Sequence, residues 1–145
     1  MKLPQLSSAT PPGSPCGGVG FGHVTEVARA HVAAAERGKP GEGYICAGVN
    51  ITYRELFDAI ARKFGKRGPA LVFPRGAFVA YGYAMQFLSL LTKKPPEVDP
   101  GMARFMSMRA YYDTSRAVRD LGYTVLPLER MIDDAYDWYA ANGFL

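Results

Sequence analysis

The chain has 145 residues, 48% hydrophobic and 21% charged, with a net charge of +4. That size suits one compact domain and falls short of a two-lobed nicotinamide enzyme, and the composition is that of a globular chain rather than a disordered one. Lys and Arg are scattered, so no nucleic-acid footprint stands out; the densest stretch, Arg62, Lys63, Lys66 and Arg67, reads as a helix end whose charges complement the dipole.

Cys16 and Cys46 are thirty positions apart, which gives neither a metal-ligand spacing nor a disulfide framework. A reducing compartment fits. Lys2 is not followed by an apolar core of signal-peptide length, so the expected location is cytoplasmic.

Residues 1–17 are rich in Pro, Ser and Gly and are expected to form a loose arm, with a domain over 18–145. Val19 to Val24 suits a short strand. Thr25 can cap a helix from Glu26 to about Arg37, closed by Gly38 and Pro40. Gly43 to Ala47 suits a short buried strand, in which Cys46 is a small buried hydrophobe. Thr52 and Glu55 have the spacing of a capping box, and Tyr53, Leu56, Phe57, Ile60 and Phe64 make one apolar helical stripe. Ala70 to Phe73 forms a third short strand before Pro74.

Gly76 to Thr92 then runs seventeen residues without a charge. This is short of the roughly twenty residues that span a bilayer, and marks a buried or membrane-touching helix. Met102, Phe105 and Met106 suit a further helix, Ala110 to Tyr112 an extended segment, and Asp113 or Thr114 the cap of a short helix ended by Gly122 in the left-handed conformation. The last helix starts near Pro127 and buries Leu128, Met131, Ile132, Ala135, Trp138 and Tyr139 on one face, ending at Gly143. The elements together predict a mixed, helix-rich α/β fold with short strands and about five to six helices.

The glycine-rich run Gly17 to Gly22 contains no G-x-G-x-x-G, follows no strand and lacks the acidic residue such a loop requires downstream, so it is expected to be a flexible strand entry. His23, Glu26 and His31 lack a third ligand at helical or turn spacing, and no metal site is expected. His31 shares a stripe with Val27 and Ala35 and is expected to be packed and hydrogen-bonded. None of the nine tyrosines has a lysine four residues later, the spacing at which an ammonium lowers a phenol pKa for proton transfer.

His23-Val24-Thr25-Glu26-Val27-Ala28-Arg29-Ala30-His31 resembles the V-H-V-x-D-V-A-x-x-H segment of extended short-chain dehydrogenase/reductases. Further matches follow in the same order: Gly41 to Ile45 with Gly48 and Asn50, Thr52 to Leu56, Tyr112 to Ala117 with Leu121-Gly122-Tyr123, and a final helix from Pro127 through Trp138 to Phe144. The resemblance covers nearly everything after residue 17 and is similar to the C-terminal, substrate-binding part of that family. Its neighbourhood is that of dihydroflavonol-reductase-like, hopanoid-associated sugar-epimerase-like and 3β-hydroxysteroid-dehydrogenase-like proteins.

The resemblance implies a partial Rossmann-type fold. It implies that NAD or NADP and a Ser/Tyr/Lys set belong to a first lobe upstream of Met1, so no cofactor and no catalytic residue is expected in this chain alone. His23, Phe78, Tyr81, Met85, Arg104 and Arg109 are the candidate substrate-binding residues. The family's sheet would leave the strand near Tyr44 with an unpaired edge, which implies a homo-oligomer or a chain supplying the missing lobe. The function expected is substrate recognition for an NAD(P)-dependent oxidoreductase or epimerase acting on a small, largely apolar or mixed molecule. The alternative is a non-catalytic binding or scaffold module derived from that family. Nucleic acid is not an expected partner, and contact with a membrane surface is a further possibility raised by Gly76 to Thr92.

Overall fold

The computed structural model describes residues 13–144. It is a mixed α/β structure with six helices among those residues: β1 (Gly13–Pro15), β2 (Gly18–Phe21), α1 (Val24–Arg37), β3 (Val49–Thr52), α2 (Tyr53–Lys63), β4 (Leu71–Phe73), α3 (Arg75–Thr92), α4 (Pro100–Met106), β5 (Arg109–Ala110), α5 (Ser115–Leu121) and α6 (Leu128–Ala141). Two compact units share it. Their described parts are 20–51 with 111–144, and 13–19 with 52–110.

In the first unit, α1 and α5 pack around Ala30, Ala33, Ala117, Leu121 and Tyr123, with Val27, Ala34, Tyr44 and Cys46 against them. Small alanines on facing stripes allow the helices to approach, and Tyr123 fills the remaining space. Its Oη donates to the Cys46 carbonyl at 3.3 Å, and burial holds the phenol above its usual pKa range. α1 starts at Val24 rather than Glu26. The cap is the His23 side chain, which accepts from the Thr25 amide, in place of the Thr25 hydroxyl expected from the sequence. His31 does bond the Val27 carbonyl, with Nδ1 at 2.7 Å, but is exposed rather than packed.

No strand forms over 43–47; β3 lies further on, at Val49–Thr52. The segment's polar groups pair with side chains and loops rather than a ladder, since the Tyr44 hydroxyl accepts from the Lys39 amide and the Cys46 carbonyl serves Tyr123. Gly48, at φ 79°, then turns the chain into β3. Asn50 on β3 acts as a backbone surrogate: its side-chain amide donates to the Tyr112 carbonyl at 2.9 Å, and its oxygen accepts from the Tyr112 amide at 3.1 Å.

In the second unit, β1 and β4 form a parallel pair with Gly13 opposite Leu71, Ser14 opposite Val72 and Pro15 opposite Phe73. Of the expected arm, residues 1–12 lie outside the described residues, and 13–15 form a strand instead of a loose segment. A proline is tolerated there because the pair has only edge strands. β2 pairs in parallel with β5 through Gly18 and Val19, and its other neighbour is β3.

The glycine run is a strand with close backbone neighbours. A Cβ on Gly17 would lie 2.3 Å from the Met106 and Met108 carbonyls. α2 begins with the expected capping box, Thr52 Oγ1 accepting from the Glu55 amide and Glu55 Oε2 accepting from the Thr52 amide at 2.7 Å. Arg62 and Lys63 occupy its last turn, as the helix-end reading requires. α3 and α4 pack closely where Gly82 meets Ala103.

Candidate functional site

The second unit holds a cleft of about 450 Å³ whose wall is almost entirely apolar. Phe73 at the end of β4 and Phe78 and Tyr81 one turn apart on α3 form an aromatic row, with ring centroids 6.4 and 6.3 Å apart and the rings near parallel. α2 contributes Phe57, and α4 contributes Met102 and Met106, which helical spacing places on one face. Among the described residues, Glu97 is the one charged residue of the lining. Flat aromatic walls and two adaptable thioethers suit an uncharged ring system. A lone carboxylate opposes a phosphate and offers a hydroxyl an acceptor.

Of the residues expected at the substrate site, Phe78 and Tyr81 line this cleft. Met85, one turn further along α3, is half-buried and is not part of the lining. Arg104 points its guanidinium at Tyr83, donating to the hydroxyl and lying 5.6 Å from the ring centroid. Arg109 is exposed on β5. Neither arginine lines the cleft. His23 belongs to the first unit, where it lines a separate, more open pocket of about 560 Å³ with Phe21, Met131, Asp134, Trp138 and Tyr139. Its Nε2 is 3.4 Å from Asp134 Oδ2, and Asp134 also accepts from Arg130.

Sequence reasoning missed Phe57, Phe73, Met102, Met106 and Glu97. Phe57 was assigned to the core stripe of α2, and the Met102/Met106 spacing of four was the one available signal for α4.

The glycine-rich stretch does not fit a dinucleotide. The Gly17 amide donates to the Met106 carbonyl at 3.2 Å and the Gly18 amide to the Met108 carbonyl at 3.0 Å, so these donors cannot cradle a pyrophosphate. Among the described residues there is no group of three or more His, Cys, Asp or Glu able to hold a metal ion, and no helix long and apolar enough to cross a membrane.

No family model matches the chain. Individual relatives do. A putative dihydroflavonol 4-reductase of Synechocystis sp. is 24% identical over 126 residues, which is 84% of this chain and 37% of that protein. Short-chain dehydrogenase/reductase family 42E member 1 of Bos taurus is 22% identical, over 90% of this chain and 36% of its own length. Among solved structures, gox2253 matches with a TM-score of 0.72 and 28% identity, covering 96% of this chain and 42% of that one. PA4631, a nucleoside-diphosphate-sugar epimerase from Pseudomonas aeruginosa, matches with a TM-score of 0.70 and 24% identity, over 92% of this chain and 39% of that one, and supports the fold. The chain thus spans well under half the length of each of these proteins. Over most of its own length, in both sequence and fold, the chain is similar to the C-terminal part of short-chain dehydrogenase/reductase and epimerase proteins.

Proposed function

We propose that this chain is the substrate-recognition portion of an NAD(P)-dependent oxidoreductase or epimerase, and that the nicotinamide site and the proton-transfer groups are supplied by polypeptide outside residues 1–145. The observation that carries this reading is the cleft of Phe57, Phe73, Phe78, Tyr81, Met102 and Met106, with Glu97 as its only charge among the described residues. The substrate class it favours is a planar, largely apolar molecule with a hydroxyl or carbonyl rather than a nucleoside-diphosphate sugar. The name of the Synechocystis relative agrees with a ligand of that kind, and both arginines able to hold a phosphate stand outside the lining. The two cysteines are unpaired, which supports the reducing cytoplasm as the location.

Calorimetric titration of the folded chain with a planar polyphenol and with a nucleoside-diphosphate sugar tests this reading. The polyphenol is expected to saturate, with affinity falling roughly tenfold in Tyr81→Ala as one aromatic wall is removed. Glu97→Lys is expected to improve binding of anionic ligands. Preferential binding of the nucleotide sugar, unaffected by Tyr81→Ala, would place the site elsewhere.

A further inference from the structure

The face of α3 turned away from α4 has a composition that the proposed substrate role does not explain. Helical spacing sets two opposed stripes on α3. Phe78, Gly82, Met85 and Ser89 fall on one and are buried or half-buried, while Ala80, Ala84, Phe87 and Leu91 fall on the opposite one and are exposed. Phe87 is 65% exposed, Leu90 74% and Leu91 68%.

The contrast with the other long helices is one of charge. α2 carries Arg54, Glu55, Asp58 and Arg62, and α6 carries Glu129, Arg130, Asp133 and Asp137. α3 has no charged residue after Arg75. A helix apolar all round is ordinarily covered on every side, and among the described residues α3 has a packed stripe on one side only. Lys93 and Lys94 follow directly, both exposed, and no acidic residue lies between Gly76 and Pro96.

We propose that this outer stripe of α3 docks in the plane of an anionic membrane surface, with Phe87, Leu88, Leu90 and Leu91 entering the boundary between headgroups and acyl chains and Lys93 and Lys94 meeting the lipid phosphates. The charge pattern selects this occupant: an apolar stripe terminated by two ammonium groups and free of carboxylates matches an acyl layer bordered by anionic headgroups. Crossing the bilayer is not required, and no described helix is long and apolar enough for it. The inference is independent of the ligand assigned to the cleft.

The test is co-sedimentation of the intact 145-residue chain with phosphatidylcholine vesicles and with phosphatidylcholine vesicles containing phosphatidylglycerol, accompanied by sedimentation velocity without lipid. Binding is expected to the anionic vesicles, roughly tenfold or more above the neutral ones, since each lysine near the surface contributes measurably. Leu91→Asp is expected to abolish binding with unchanged far-UV circular dichroism, and Lys93→Glu with Lys94→Glu to remove the preference for anionic lipid. Failure of the folded chain to bind either vesicle, or binding indifferent to Leu91→Asp, overturns the proposal. A dimer that Leu91→Asp dissociates, with no vesicle binding, also overturns it and makes a second copy the occupant.

Discussion

Gly48 and Gly41 separate two costs that a glycine substitution usually mixes. Both have positive φ, 79° and 80°, but a Cβ on Gly48 would lie 2.2 Å from the Phe21 carbonyl oxygen, whereas one on Gly41 would meet nothing within 4 Å. Gly41→Ala is therefore expected to cost about 1 kcal/mol, the left-handed backbone penalty, and Gly48→Ala a further ~1–3 kcal/mol of steric strain, measured as separate shifts in urea midpoint.

Glu55 gives a pH-dependent counterpart. Its carboxyl is held below the usual glutamate range, first by the backbone hydrogen bond from Thr52 and then by the Thr52 side chain. A depressed folded pKa means that its contribution to stability is fully present above the unfolded value of about 4.3 and is lost as pH falls through the folded value. Glu55→Gln should remove that acid-side loss from the pH dependence of thermal unfolding. Thr52→Ala should cost about 1 kcal/mol near neutral pH.

The helices were legible in the sequence because their signals are local. The Thr52/Glu55 box, the left-handed Gly122 at φ 71° and the apolar stripe of α2 fix those elements without reference to distant residues, whereas of the face expected to be buried on α6 Met131 is buried but Ala135 and Trp138 are exposed. The strands were legible only in part: Val19 to Val24 and Ala70 to Phe73 overlap β2 and β4, but other strands show only beside a neighbour. Tyr44 to Ala47 has the composition of a buried strand, yet Ile45 is exposed and the segment's polar groups pair with Lys39 and Tyr123. Gly13–Pro15 has the composition of a loop, yet it pairs with Leu71–Phe73, almost sixty residues on. Asn50 does the work of a strand residue through its side chain. Replacing it with alanine leaves both backbone groups of Tyr112, which are solvent-exposed, to water and is expected to cost about 1 kcal/mol, whereas Asn50→Gln, one methylene longer, should recover little of the loss, as read by chemical denaturation.

At the scale of the molecule, the likeness to short-chain dehydrogenase/reductases was legible from ordered motifs, and the lining of the cleft only in part. Phe78 and Tyr81, two of the expected substrate-binding residues, line the apolar cleft, because they sit one turn apart on the most apolar of the long helices. Arg104 carried the same guanidinium chemistry in the sequence, but α4 directs it to Tyr83, and no local pattern announces that pairing. His23 stands in a different unit, as the cap of α1. A cleft assembled from α2, β4, α3 and α4 becomes visible only when four separated segments meet.

The central proposal is that this chain recognises a substrate while the cofactor site lies on other polypeptide. Titrating NADH and NADPH into the purified, folded chain, followed by calorimetry beside the planar polyphenol, tests it most directly. The account predicts saturable binding of the polyphenol and none of either nicotinamide; saturable micromolar binding of NADH or NADPH would contradict it.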